Sequence, residues 1–181
     1  MTTADPVRAL TSFHEAGHAV AALMRGGSSL LSVSLSDTHG EGITWHRSHV
    51  WDQAFIAYAG PWAEARHEWG DRPLDDLDDG GCTFDDVIAG CTLAGGAGDA
   101  PIIDQGLSPE GIAAELGADV DAEGMAEQLG EIAAARESTW RMELERAWPV
   151  IGTVAARLLA GETVTSDQVA ALLAAADRAD D

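Results

Sequence analysis

The chain contains no lysine: all ten of its basic residues are arginine, against 31 acidic residues, for a formal net charge of −21. A surface so short of positive charge repels phosphate backbones and anionic lipid, which argues against a binder of nucleic acid or of a membrane surface. Cysteine is also scarce. Cys82 and Cys91 are too few for a disulfide framework, and both are expected to be reduced thiols. No apolar run approaches the roughly 20 residues of a transmembrane helix. Residues 1–6 lack the basic and apolar stretches of a secretory signal. The expectation is a cytoplasmic protein. Apolar residues, by contrast, are plentiful: 46% hydrophobic and 23% charged over 181 residues is the composition of a folded domain.

Helical spacing and capping chemistry dominate the chain. Asp5-Pro6 reads as an N-cap followed by proline at the first helical position, opening a helix over 7–25 that Gly26-Gly27 closes. Leu31, Val33 and Leu35 alternate with serines as a half-buried strand, 37–40 has turn chemistry, and Ile43-Thr44-Trp45 returns as a second strand. Helical spacing resumes over 50–69, with a kink or two abutting helices expected at Gly60-Pro61. Thr83 caps a helix to about Leu93, and glycines at 95–98 interrupt the pattern. Further helices are expected from Ser108, over 121–147, over 150–160 after Pro149, and from Thr165 to about Ala176. The fold class expected is mainly α, with a small β-hairpin or sheet beside the first helix. Residues 1–98 would form one subdomain and 99–181 a C-terminal helical subdomain of the same domain.

His14-Glu15-Ala16-Gly17-His18 is an H-E-x-x-H match inside that first helix. At about 3.6 residues per turn, positions i and i+4 share a face. Both imidazoles can therefore meet one metal ion, with Glu15 beside them to hold a water. Zinc lowers the pKa of such a water to about 7, and the carboxylate can take its proton. Leu10, Val20, Ala21 and Leu23 make the helix otherwise apolar. Two histidines and a glutamate buried there need partners, and a metal supplies them; the bland alternative is a solvated histidine pair. Ala21 and Met24 stand where the longer metzincin motif has a glycine and a third histidine. A catalytic zinc site takes a third protein ligand. Glu64, His67, Asp85, Asp86, His39, His46 and His49 are candidates by residue type, with His46 and His49 expected to face solvent.

The run His14-Glu15-Ala16-Gly17-His18-Ala19 resembles the motif of the peptidase domain of FtsH-type ATP-dependent metalloproteases. Residues 30–35 followed by Gly42-Ile43-Thr44 are similar to that family's strand pair, whose second strand pairs with extended substrate. Residues 58–64 are similar to its glutamate-bearing helix, 81–85 with Ala89 to the segment of its third ligand, and 140–173 to its C-terminal helices. The resemblance implies a zinc endopeptidase with His14, His18 and Asp85 as metal ligands and Glu15 as catalytic base. It also implies that Glu64 orients a ligand histidine and that substrate lies along Gly42, Ile43, Thr44 and Trp45. A cap at Thr83 and the tight turn that Gly81 permits agree with Asp85. Pro61, Trp62 and Asp86 depart from the family pattern. No G-x-x-x-x-G-K-[ST] loop occurs in the sequence. The resemblance therefore points to a stand-alone peptidase module acting on polypeptide, with a homo-oligomer or an unfoldase in trans as the assembly it suggests.

Three functions compete. The leading one is zinc-dependent hydrolysis of peptide bonds in unfolded or flexible polypeptides. A metal-binding regulatory module with little or no protease activity is the second, favoured by the acidity and the altered Glu64 helix and opposed by the intact Glu15. A zinc hydrolase acting on a small amide is the third, which fold alone does not separate from the first.

Overall fold

The computed structural model describes residues 5–25, 29–36, 40–95, 98–117 and 120–179. Gly26-Gly27, most of the turn expected at 37–40, and His39 lie outside the described residues. Asp5 caps α1 (Pro6–Met24): its Oδ1 accepts the Val7 N–H at 3.1 Å, and Pro6 sits in the first turn, where no donor is needed. Ala16, Ala19, Val20, Ala21 and Ala22 are all fully buried, so α1 is enclosed by its neighbours and not laid on a surface.

β1 (Ser29–Leu35) pairs antiparallel with β2 (Gly42–Arg47) on one side and with β3 (Val164–Thr165) on the other, giving the order β2-β1-β3. Strict alternation places Leu31, Val33 and Leu35 on one face. A bulge between Leu30 and Ser32 shifts the register instead, so Leu30 and Val33 are buried and Leu31 is 54% exposed.

A 3-10 turn at Val50–Asp52 leads into α2 (Gln53–Trp69), which runs as one helix through Gly60-Pro61. Of the kink or two abutting helices expected there, the two separate helices do not form. Proline removes one N–H, but Ile56, Tyr58, Ala59 and Trp62 are buried on both sides of it and hold the helix to the core. α3 (Phe84–Ala94) opens on a reciprocal cap: the Thr83 N–H donates to Asp86 Oδ2 at 2.8 Å and the Asp86 N–H to Thr83 Oγ1 at 3.2 Å. α4 (Ala100–Leu107) has no counterpart among the expected elements; α5 (Pro109–Leu116) follows, capped by Ser108. α6 (Ala126–Leu159) passes through Pro149 and replaces the two helices expected on either side of it. Along it Trp140, Leu144, Ala147, Ile151, Val154 and Leu158 repeat at helical spacing as a buried stripe. Gly161, at φ 83°, ends that run, and Thr165 caps α7 (Ser166–Asp177).

The architecture is thus mainly helical with a small three-stranded antiparallel sheet, the class the sequence predicts. One main core joins Val20, Val33, Trp62, Phe84, Ile151 and Val169, drawn from six different elements. A smaller cluster of Ile112, Ala113 and Leu129 lies between α5 and α6. Among the described residues no helix is long and apolar enough to cross a membrane.

Candidate metal centre

The i, i+4 spacing on α1 sets the His14 and His18 rings edge to face, with centroids 4.7 Å apart. Both rings lie against the backbone of α2, and two glycines make that approach possible. A Cβ at Gly17 would sit 2.2 Å from the Ala59 carbonyl oxygen, and one at Gly60 would sit 2.4 Å from His18 Cε1 and 2.9 Å from His14 Nε2. α2 also fixes the tautomers. His18 Nδ1 lies 2.7 Å from the Ile56 carbonyl oxygen, which can only accept, so Nδ1 carries the proton. His14 Nδ1 donates in the same way to Glu64 Oε2 at 3.1 Å.

Both Nε2 lone pairs are then turned toward Asp99, at the start of α4, whose Oδ2 lies 3.3 Å from His14 Nε2 and 3.5 Å from His18 Nε2. Three acceptors facing one another repel unless a proton or a cation lies among them. The ligand atoms of His14, His18 and Asp99 all fall within 4.8 Å of one another, a set of two imidazoles and one carboxylate that suits zinc. The electrostatics agree. Burial disfavours a charged His14, yet hydrogen bonds to Asp99 and Glu64 outweigh it and raise its pKa to about 9. Burial likewise opposes ionisation of Asp99, but its hydrogen bonds to His14 and His18 hold the carboxyl well below the usual carboxylate range. In the metal-free protein a proton stands in for the positive charge that this site is built around.

Glu15, 9% exposed, occupies the space between α1 and β2. Thr44 Oγ1 donates to its carboxylate at 2.6 Å and also reaches its main-chain oxygen at 3.2 Å. A Cβ on Gly42 would come within 2.4 Å of Glu15 Cγ, so only glycine leaves room at that point of the strand. Glu15 borders two cavities. One, of about 330 Å³, is lined by His18, Thr44, His46 and Asp99, and the other, of about 470 Å³, by His14, Gly42 and Glu64.

The structure brings together His14, Glu15, His18, Glu64, Gly42 and Thr44; Ile43 and Trp45 share β2 but point outward, 48% and 61% exposed. It does not bring Asp85 to the histidine pair, which corrects the ligand set implied by the resemblance. Asp85, in the first turn of α3, has a side chain 65% exposed and pairs with Arg141 of α6, and the place beside the histidines is held by Asp99. Asp86 is spent on capping its helix. His67 stacks on Phe13 at 4.0 Å between ring centroids, and burial lowers its pKa. His49 is exposed. His46, expected to face solvent, is half-buried in the site cavity, where burial foremost and the nearby His18 lower its pKa. Asp99 was missed although Asp99-Ala100-Pro101 places a proline in the first turn after an acid, one residue later than in Asp5-Pro6.

Residues 3–65 match the Peptidase M50B-like family model. That is a metalloprotease family distinct from the FtsH-type peptidases, and it overturns the FtsH-type likeness read from residues 14–19 and from the segments after them. The reason is physical: two histidines and a glutamate on one helical turn are what the chemistry requires, so the motif marks the reaction and not the lineage. The match spans α1, the hairpin and α2 as far as Ala65, so it contains His14, Glu15, His18 and Glu64 and stops before Asp99. The peptidases of that family are zinc metalloproteases, and the His-His-Asp cluster is a fitting zinc site. The chain is therefore similar to zinc metallopeptidases in general. No curated protein matches the chain.

Proposed function

We propose that this chain is a zinc endopeptidase acting on unfolded or flexible polypeptides, with His14, His18 and Asp99 as metal ligands and Glu15 as general base. The observation that carries it is the convergence of three acceptor atoms, two of them with tautomers fixed from behind, beside a carboxylate that Thr44 holds in place. When bound there, zinc supplies Lewis acidity and a water acidic enough to lose its proton near pH 7. Glu15, held beside the cluster by Thr44, would accept the proton of an attacking water as its oxygen bonds to the carbonyl carbon, and would deliver it to the amine nitrogen as the C–N bond breaks. Glu64 and the Ile56 carbonyl keep the two imidazoles turned toward the centre.

Cavities on both sides of Glu15 leave room for chain to continue in both directions, which favours an endopeptidase over an enzyme that trims ends. β2 is the outer strand of the β2-β1-β3 sheet, so an extended peptide can add alongside residues 42–45. A stable fold offers such a segment rarely, hence the preference for unfolded substrate. The test is degradation of a casein-type unfolded protein with and without a chelator. Glu15→Gln should retain zinc and fold while losing about 10²–10⁴-fold in rate. Wild-type turnover by that variant, or turnover that survives metal removal, overturns the proposal.

A further inference from the structure

We propose that His46 is a further catalytic residue of this site, donating a hydrogen bond to the carbonyl oxygen of the scissile peptide bond as charge develops on it. The inference rests on the zinc-peptidase reading above and goes beyond it by naming the group that meets the substrate oxygen.

The argument starts from the period of a strand. Along β2 the residues alternate between half-buried and exposed, so Gly42, Thr44 and His46 share the sheltered face while Ile43, Trp45 and Arg47 share the other. The first two already serve the site: Gly42 makes room for Glu15 and Thr44 holds its carboxylate. His46 is next on that face, and it lines the same cavity as Glu15, His18 and Asp99. It is not among the residues whose ligand atoms cluster within 4.8 Å. It therefore stands off from the metal position while remaining within the substrate space.

Its Nδ1 is buried and has no hydrogen-bond partner. A neutral imidazole carries one donor and one acceptor nitrogen. Buried donors left without an acceptor are rarer in folded proteins than acceptors left without a donor, so the proton is better placed on Nε2. That leaves a polarised N–H on a ring that lines a cavity of about 330 Å³. As the water oxygen bonds to the carbonyl carbon and Glu15 takes the water proton, the π pair of the carbonyl moves onto its oxygen. His46 Nε2–H stabilises that oxygen and keeps its own proton throughout. When the C–N bond breaks, the pair re-forms the carbonyl, and nitrogen leaves with the C–N electrons and the proton from Glu15. A donor poised where charge develops stabilises the transition state more than the bound substrate.

The experiment compares wild type, His46→Ala and His46→Gln for three properties: zinc affinity, kcat and KM on an unfolded protein or peptide, and calorimetric affinity for a phosphinic peptide that mimics the tetrahedral carbon. Binding of the unmodified peptide is measured in the Glu15→Gln background, where it is not cleaved. For His46→Ala we expect unchanged zinc affinity, a fall of about 10²–10³-fold in kcat with little change in KM, and a matching loss of phosphinic-peptide affinity. Unmodified peptide should bind as before, and His46→Gln, whose amide can donate, should recover part of both losses. Three results overturn the inference while leaving the peptidase reading intact: an unimpaired His46→Ala, an equal loss of phosphinic and unmodified peptide, or a loss of zinc. If wild type neither cleaves nor binds the phosphinic peptide, the peptidase reading itself falls, and this inference with it.

Discussion

Asp85 at the start of α3 and Asp99 at the start of α4 are both carboxylates where a helix dipole favours negative charge, yet their surroundings differ in every other respect. The α3 start is self-sufficient: Thr83 and Asp86 satisfy its free N–H groups reciprocally, and Asp85 is left 65% exposed beside Arg141. The α4 start makes no side-chain cap. Asp99 sits at the N-cap position with its carboxylate not bonded to its own helix, its side chain is 20% exposed, and its oxygen faces two imidazole nitrogens. A well-capped helix start consumes or solvates its acids. An uncapped one leaves a carboxylate free for something outside the helix, and here that is a pair of histidines.

The sharpest way to break this comparison is to remove each acid in turn. Asp99→Ala deletes a proposed ligand, so zinc affinity, measured by competition with a chromophoric chelator, should fall by more than the about 10–100-fold that loss of a partner behind a ligand produces. Glu64→Ala, which removes such a partner from His14, should fall within that range. Asp85→Ala should leave zinc affinity unchanged. A loss for Asp85→Ala exceeding that for Asp99→Ala would reverse the assignment.

Proton competition gives a second contrast. In the metal-free protein His14 titrates at about 9 and not at the ordinary 6.5, because of Asp99 and Glu64. Zinc must displace that proton, so affinity should drop by up to about tenfold for each pH unit below 9, and loading at pH 7 should release close to one proton. For the metal-free fold the sign runs the other way: the stabilisation from charged His14 is complete below about 6.5 and disappears as pH rises through about 9. Asp99→Ala should lower the His14 titration seen by NMR, whereas Asp85→Ala should not move it. Equal shifts in both variants would remove the electrostatic distinction between the two acids.

Local chemistry was readable and tertiary choice was not. His14, Glu15 and His18 lie within five residues, so their common position is dictated by helix pitch, and the caps at Asp5, Thr83 and Thr165 are equally local. The bulge beside Leu31 depends on cross-strand register with β2, which alternation alone does not encode. Helix continuity through Pro61 and Pro149 depends on buried neighbours such as Trp62 and Ile151 that compensate a missing hydrogen bond. The start of α4 was visible in Asp99-Ala100-Pro101, but which helix start reaches the histidines depends on the whole chain path. The FtsH-type likeness failed for a related reason: it extended a motif fixed by chemistry into segments placed by packing.

Glycines provide the finest comparison between the two regions. Gly60 on α2 lies against the rings, and a Cβ there would meet His18 Nε2 at 2.5 Å and His14 Nε2 at 2.9 Å. Gly60→Ala should therefore displace the imidazoles, costing about 1–3 kcal/mol of stability from overpacking along with most of the zinc affinity. Gly90 on α3 is exposed, has no positive φ, and has nothing within 4 Å of the position a Cβ would take. An alanine there creates no clash and removes backbone freedom from the unfolded chain, so Gly90→Ala should stabilise the protein by about 0.5–1 kcal/mol and leave zinc binding untouched. Urea denaturation of the two variants in the presence of a chelator separates packing from metal effects. If Gly90→Ala destabilises as much as Gly60→Ala, α3 is packed far more closely than its exposure implies, and its first turn loses the solvated character on which the contrast between Asp85 and Asp99 depends.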